Sequence, residues 1–343
     1  MQNPSRRTVL RTAVSLASLA AMGTAYRPAS AQNYMGPVYT PEWPWTVIVP
    51  FPPGGRSGFI GNRLIDALAD VLGENVVMQH KIGDPSSEIE AFTQLASGSR
   101  TLLLAMVRLP RRGVFSPDAG NELMSRLEPV ALVAREPMVL SISYQTAVKK
   151  DIRNLEQLLR YVKKYPGKLT IASSNEGATA ALAAELFKSM SQTYINRMSS
   201  ADLNTDIQSV IDGKIDLIFE NVNIARSAIQ AGALVPLAYT ASPTQPKLNW
   251  DRMRVTKPLP LLYDVPELSQ YEIYDYHTLF APPSMDAGER ELLSATCTKA
   301  LAMPNYRERL LASYALPDNL NREQFLSLEN QEEARWRKAR GRW

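Results

Sequence analysis

Val47-Ile48-Val49-Pro50-Phe51-Pro52-Pro53-Gly54-Gly55-Arg56-Ser57-Gly58 is the stretch whose reading decides the fold. A β-branched run stops at a Pro/Gly turn. Apolar residues then recur at helical spacing through Ile60, Leu64, Ile65, Leu68, Val71 and Leu72. A strand, a glycine turn and a helix start in that order gather unpaired backbone N–H groups at one point, and the helix dipole adds partial positive charge there. Gly54 and Gly55 lack a Cβ, so they admit left-handed dihedrals and let a ligand approach the backbone. Ser57 is a candidate helix cap. The turn reads as one half of an anion site in a two-lobed binding protein.

Upstream of that turn lies a leader. Ser5-Arg6-Arg7-Thr8-Val9-Leu10-Arg11 is a twin-arginine pattern, followed by a weakly apolar stretch from Thr12 to Ala25. Ala29-Ser30-Ala31 supplies small residues where a signal peptidase reads them, which places the cut before Gln32. A plain secretory signal is the milder reading, and both export the chain. The apolar stretch is too short to span a bilayer. Of the 38 Lys and Arg, four fall within residues 1–31, where no acidic residue occurs, so the mature chain balances its 34 Asp and Glu. The net charge of +4 belongs to the leader. Composition therefore gives no argument for nucleic acid or an anionic membrane as partner.

Cys297 is the single cysteine. It excludes an internal disulfide, and its distance from the cleavage site excludes a lipid anchor there. The expectation is a free, exported monomer that is not itself membrane-embedded. The 312 residues left after the 31-residue leader exceed the usual size of one core, and two lobes are the natural solution.

Downstream, strands are expected at 46–51, 75–79 and 101–106, alternating with helices to Val71 and over 86–96; this is the signature of a parallel, doubly wound sheet. Residues 108–126 read as a polar loop. Strands at 129–134 and 138–143 follow, the second crossing to another lobe. The second lobe repeats the logic: helix 154–164, strand 168–172, turn 173–177, helix 179–190, helix 202–211, strand 215–219, helix 222–230 and strand 235–240. Residues 241–270 are proline-rich and irregular. Residues 274–282 read as a strand returning to the first lobe, which helices near 287–302, 306–313 and 322–340 complete. Two crossings make a hinge, and ligand sites fall where strand C-termini of both lobes face each other. The expected fold class is α/β, a two-lobed type II periplasmic binding fold with each lobe a doubly wound, mainly parallel sheet. Residues 45–140 and 280–343 would form lobe one, and 141–279 lobe two.

In its wording the chain resembles the tripartite tricarboxylate transporter receptors, the Bug family of periplasmic solute-binding proteins. The resemblance lies in Val49-Pro50-Phe51-Pro52-Pro53-Gly54-Gly55, Tyr165-Pro166-Gly167-Lys168-Leu169, Ala172-Ser173-Ser174 with Ala184-Glu185-Leu186-Phe187, Gly213 to Asn221, Leu279-Phe280-Ala281-Pro282 and Arg335-Trp336. It implies a small carboxylate held between two lobes, largely by backbone amides and ordered water, with delivery to a membrane permease or a sensor. The positions matching this role are Phe51, Gly54, Gly55, Arg56 and Ser57 in lobe one, and Ser173, Ser174, Asn175 and Glu176 in lobe two. Ser200 and Asn221 are further ligand-binding candidates. No cofactor, metal or catalytic residue is implied.

The chain also departs from the family. Gly58 stands where an acidic residue is usual, the second-lobe turn reads Ser173-Ser174-Asn175-Glu176-Gly177-Ala178, Ala181 replaces a histidine, and Ser200-Ala201-Asp202 replaces a Tyr-Lys-Gly triplet. Several readings stay open. Arg56 is either a solvated charge or a partner for a second carboxylate. Ser173 and Ser174 cap a helix, bind the guest, or do both. His80 and His277 read first as packed or hydrogen-bonded residues. The alternative to capture is a degenerate binding fold acting through protein contacts. A hydrolase or lyase on a related fold is the lesser rival, because no Cys–His pair, His cluster, Gly-x-Ser-x-Gly elbow or phosphate loop occurs.

Overall fold

The computed structural model describes residues 44–107, 123–172, 179–198, 203–253, 255 and 258–340. The expected leader, most of the expected polar loop and the expected turn at 173–177 lie outside the described residues. The first half comprises β1 (Trp45–Val49), α1 (Arg56–Leu72), β2 (Val76–His80), α2 (Pro85–Thr93), β3 (Thr101–Val107) and β4 (Glu128–Ser143). Next come α3 (Tyr144–Lys150), α4 (Leu155–Lys164), β5 (Thr170–Ala172), α5 (Thr179–Ser191), β6 (Asn196–Met198), α6 (Leu203–Ile211), β7 (Leu217–Asn221), α7 (Val222–Gln230) and β8 (Leu234–Tyr239). β9 (Tyr274–Ala281), α8 (Ala287–Leu301), α9 (Pro304–Leu311), β10 (Leu316–Asn321) and α10 (Arg322–Arg340) close the chain.

The strand order β2-β1-β3-β9-β4-β7-β5-β6, with β8 and β10 also on β4, makes β4 the member common to both halves. Its first part pairs with β9 and β10, its last part with β7 and β8. The expected pair of strands is thus one strand of 16 residues. Arg135-Glu136-Pro137 interrupts its apolar run, yet stays in the ladder opposite Tyr276, Asp275 and Tyr274 of β9. Pairing is parallel among β1, β2 and β3 and among β5, β6 and β7, and antiparallel around the crossing strands, which enter each half from the opposite direction. The expected α/β fold is the observed one. β6, α3 and β10 are elements the sequence reading left as connections.

Local sequence explains the elements beside the site. α1 buries Ile60, Leu64 and Leu68 against Val47, Val49, Leu293 and Cys297, each worth roughly 1.5–3 kcal/mol when fully removed from water. Gly73, at φ 66°, ends the helix by donating to the Ala69 carbonyl. Asn154 caps α4 by accepting from the Gln157 N–H, while the Gln157 side chain accepts from the Arg153 N–H, one residue ahead of a regular capping box. Trp250 folds the proline-rich segment onto the core, with ring centroids 5.2 Å from Tyr239 and 5.9 Å from Tyr314.

α10 joins two cores. Phe325 near its start is buried with Phe280, Tyr276 and Leu316, and Trp336 near its end is buried with Phe219, Tyr271 and Phe187. Glu332 accepts from the Trp336 indole N–H at 3.2 Å and pairs with Arg335, whose guanidinium also donates to the Glu272 carbonyl. Arg135 of β4 is ion-paired with Asp318 of β10 and lies over the rings of Tyr274 and Tyr276. Among the described residues no helix is long and apolar enough to cross a membrane.

Candidate functional site

The turn before α1 shows which glycine the backbone needs. Gly54 sits at φ +88°, a region L side chains rarely adopt, with open space where a Cβ would go. Gly55 is extended, at φ −74° and ψ 173°, and is the N-cap of α1 without a side-chain cap. Ser57 therefore does not cap the helix. It is the second helical residue, 4 % exposed. Without a capping oxygen, the first N–H groups of α1 remain available to an anion, and the dipole favours one there. Phe51 is held at the turn by its carbonyl, which accepts from His80 Nδ1–H at 2.9 Å; a carbonyl can only accept, so the proton is on Nδ1.

The same His80 explains Gly58. A Cβ on Gly58 would lie 2.8 Å from His80 Cε1, so the acidic residue usual in the family does not fit while the ring is tethered to Phe51. Gly58→Asp is expected to destabilise the fold by about 1–3 kcal/mol through overpacking, read as a lower midpoint in urea. A midpoint matching the parent would mean that the ring swings aside freely.

Arg56 opens α1, and its side chain is only 19 % exposed. Its Nε lies 3.1 Å from Glu136 on β4, and its Nη2 lies 2.9 Å from Asp275 on β9, with Met106 Sδ of β3 at 2.7 Å. Asp275 also accepts from Thr179 Oγ1 at 2.5 Å, at the first residue of α5. Glu136 accepts from His277 Nε2 at 2.8 Å and from Asn223 Nδ2, at the start of α7, at 3.4 Å. Three helix N-termini thus meet two carboxylates carried on the two crossing strands. Burial pushes the Glu136 carboxyl up, but Arg56 and His277 outweigh it and hold it down at about 2. Burial would lower Arg56; the charges of Glu136 and Asp275 reverse that and raise it.

At the end of β7, Glu220 is 2 % and Asn221 3 % exposed. One Glu220 oxygen accepts from the Asn221 N–H at 2.7 Å; the other, and the Asn221 amide nitrogen, have no hydrogen-bond partner among the described residues. Burial pushes Glu220 up to about 7, against the Asn221 N–H and the charge of Arg56.

Of the residues singled out from sequence, the structure gathers Phe51, Gly54, Gly55, Arg56 and Ser57 at one turn, while Asn221 ends β7, beside Glu220. Ser173, Ser174, Asn175, Glu176 and Ser200 lie outside the described residues. Arg56 is not a solvated charge; protein carboxylates already engage it. Ala181, in place of a family histidine, is buried in α5. Glu136, Asp275, Thr179 and Asn223 were missed. The only trace of Glu136 and Asp275 in the sequence is charge embedded in strands, as Arg135-Glu136 and Tyr274-Asp275-Tyr276-His277, while Thr179 and Asn223 are uncharged residues at helix starts. Among the described residues no cluster of three or more metal-ligating side chains occurs.

Comparison with known proteins covers most of the chain. The tripartite tricarboxylate transporter family receptor pattern matches residues 61–340. A protein from the tcbD–tcbE intergenic region of Pseudomonas sp. strain P51 is 25 % identical over 273 residues, 79 % of this chain and 77 % of that one. BugT of Bordetella pertussis is 29 % identical over 218 residues, covering 63 % of this chain and 64 % of BugT. Among solved structures, the periplasmic binding protein BugD superposes with a TM-score of 0.64 at 21 % identity, over 87 % of this chain and 98 % of BugD. An R. palustris protein with adipate gives 0.66 at 21 %, over 86 % and 95 %. MatC from Rhodopseudomonas palustris with bound malate gives 0.60 at 20 %, over 89 % and 99 %. At these identities the structural likeness speaks for the fold.

Proposed function

The chain belongs to the tripartite tricarboxylate transporter receptor family, solute-binding proteins rather than enzymes, and from that premise we propose that it captures one small carboxylate between its two halves and presents it to a membrane permease or a sensor. The observation carrying this reading is the uncapped N-terminus of α1, set by the left-handed Gly54 and fixed against both crossing strands by Arg56. N–H groups of the Phe51–Ser57 turn would receive the carboxylate, with Asn221, Ser200 and the Ser173–Glu176 turn closing from the other half. Each N–H bond to a charged acceptor is worth roughly 1.5–3 kcal/mol, so three or four account for a large part of the about −8 kcal/mol of micromolar binding. The adipate and malate carried by two structural relatives fit the same chemistry. In this reading residues 1–31 are removed before Gln32 and the protein acts in the periplasm. The lobes are 45–140 with 280–343, and 141–279. Closure gains from the guest only as far as the guest binds the closed state better.

The test is thermal melting across mono-, di- and tricarboxylates, aromatic acids and amino acids. At 100 times its dissociation constant a true ligand adds about 2.7 kcal/mol, about 5 °C for a chain of this size. Gly54→Val, which cannot hold the left-handed turn, is expected to erase that shift. Silence across the whole panel, with a protein partner co-purifying, supports the degenerate reading instead.

A further inference from the structure

Total charge says nothing of where charge lies, and the fold gathers it. Between Tyr144 and Lys168 the chain carries seven Lys and Arg against two Asp and Glu. Three of these cations meet carboxylates: Arg153 with Asp151, Arg160 with Glu156, and Lys163 with Glu267. Lys149, Lys150, Lys164 and Lys168 have no ion pair among the described residues. α4 turns Leu155, Leu158, Leu159 and Val162 inward, so its charged and aromatic residues face out. Lys150 Nζ, at the end of α3, lies 5.7 Å from the Tyr161 ring centroid; that ring is 5.0 Å from Tyr165, over which Lys164 Nζ lies at 5.2 Å. The Pro166-Gly167 turn brings Tyr194 alongside. There the Gly167 N–H donates to the Tyr194 carbonyl at 2.8 Å, and a Cβ on Gly167 would meet the ring at 3.1 Å. Tyr165 and Tyr194 are exposed. Lysines over tyrosine rings thus form one continuous face, and none of these residues belongs to the Gly54 turn or to the junction of the crossing strands. Helix dipoles favour the lysines in the last turns of α3 and α4. They account neither for Lys168 nor for the exposed rings.

Lipid phosphates and an acidic protein both suit positive charge, and the residue types separate them. Protein interfaces are depleted in Lys and enriched in Arg, whereas here both arginines are already paired within the chain. Lysine is an unoriented point charge on an apolar stem, and tyrosine an apolar body with a polar tip; such side chains settle at a lipid–water boundary. We propose that this face of α3, α4 and the Pro166-Gly167 turn docks the protein on an anionic phospholipid surface. The contact goes beyond solute capture and does not depend on it. It holds the protein beside the membrane without insertion, each lysine adding to an attraction that salt screens.

The experiment is co-sedimentation of the mature protein with vesicles of equal parts phosphatidylglycerol and phosphatidylcholine, against vesicles of phosphatidylcholine alone. At about 0.1 M salt the anionic vesicles are expected to retain at least about tenfold more protein. At about 1 M salt, where the screening length shrinks to about 3 Å, that retention is expected to vanish. The combined variant Lys149→Gln, Lys150→Gln, Lys164→Gln and Lys168→Gln breaks no ion pair among the described residues. It is expected to lose retention while melting within about 2 °C of the parent. A matched variant changes four exposed cations elsewhere, Lys247, Lys299, Arg309 and Arg337, each to Gln. It has the same net charge and is expected to keep retention within about twofold. Equal retention by the two vesicle types, including none by either, overturns the proposal. Equal loss in the two variants also overturns it, because net charge rather than this face would then be the cause. Retention on a polyglutamate resin without retention on anionic vesicles overturns it as well, and reassigns the face to an acidic protein.

Discussion

Arg56→Met is expected to lower the melting temperature at pH 7 by about 6–10 °C. The cause is the state in which it leaves two buried carboxylates. Glu136 and Asp275 have side chains 3 % and 6 % exposed, and removing one partner of a buried ion pair typically costs about 3–5 kcal/mol. At about 2 °C per kcal/mol for a domain of this size, that gives the stated drop. Pairing Arg56→Met with Asp275→Asn should recover part of the loss, because the surviving amide still accepts from Thr179 and one orphaned charge is gone. The pH dependence has a definite sign. The folded Glu136 carboxyl is held at about 2, below its ordinary 4.5. A depressed carboxyl stabilises above its unfolded value and loses that contribution as pH falls from about 4.5 through about 2. In Arg56→Met the main countercharge is absent, so acid unfolding monitored by circular dichroism should begin at higher pH than in the parent. A variant melting within a degree of the parent, with the same acid midpoint, would show that these ion pairs do not hold the junction.

Trp336→Ala should rank beside it in effect. The indole is 2 % exposed among Phe219, Tyr271 and Phe187, and truncating a buried tryptophan costs about 3–5 kcal/mol in lost transfer energy and cavity. Its removal also takes a donor from Glu332, which burial pushes above its usual range while Arg335 opposes the rise. Hydrogen exchange should locate the damage: amides of β7 and the segment around Tyr271 should lose protection, while β1 and α1 keep theirs. Uniform loss across both regions would mean that the helix end does not act on one core in particular.

The sequence shows the elements whose signals are local. β1, the Gly54 turn and α1 declare themselves through a β-branched run, a glycine pair and a 3.6-residue period, and the crossing strand β9 reads as a strand from its aromatic and apolar residues. Features that depend on distant partners stay hidden. β4 looked like two strands because Arg135-Glu136-Pro137 resembles a connection until Asp318, 183 residues away, and Arg56 supply the countercharges. Leu316-Pro317-Asp318-Asn319 has turn composition, and becomes β10 only because β4 offers it an edge. The site divides in the same way. Gly54 and Arg56 could be singled out from their neighbours in sequence. That Arg56 would meet Asp275, 219 residues on, could not be, since Tyr274-Asp275-Tyr276-His277 alone gives no sign of its partner.

The manner in which β4 and α10 are placed also sets an order of assembly. β4 has emerged from the ribosome long before β9 and β10, which complete its first half, and the 19-residue α10 that joins two cores follows them. A chain of this size commonly folds its N-terminal part during synthesis, but here that part remains unsealed until β9, β10 and α10 have been made. Such long-range closure predisposes to slow folding, and it leaves the newborn polypeptide pliant until β9, β10 and α10 can dock.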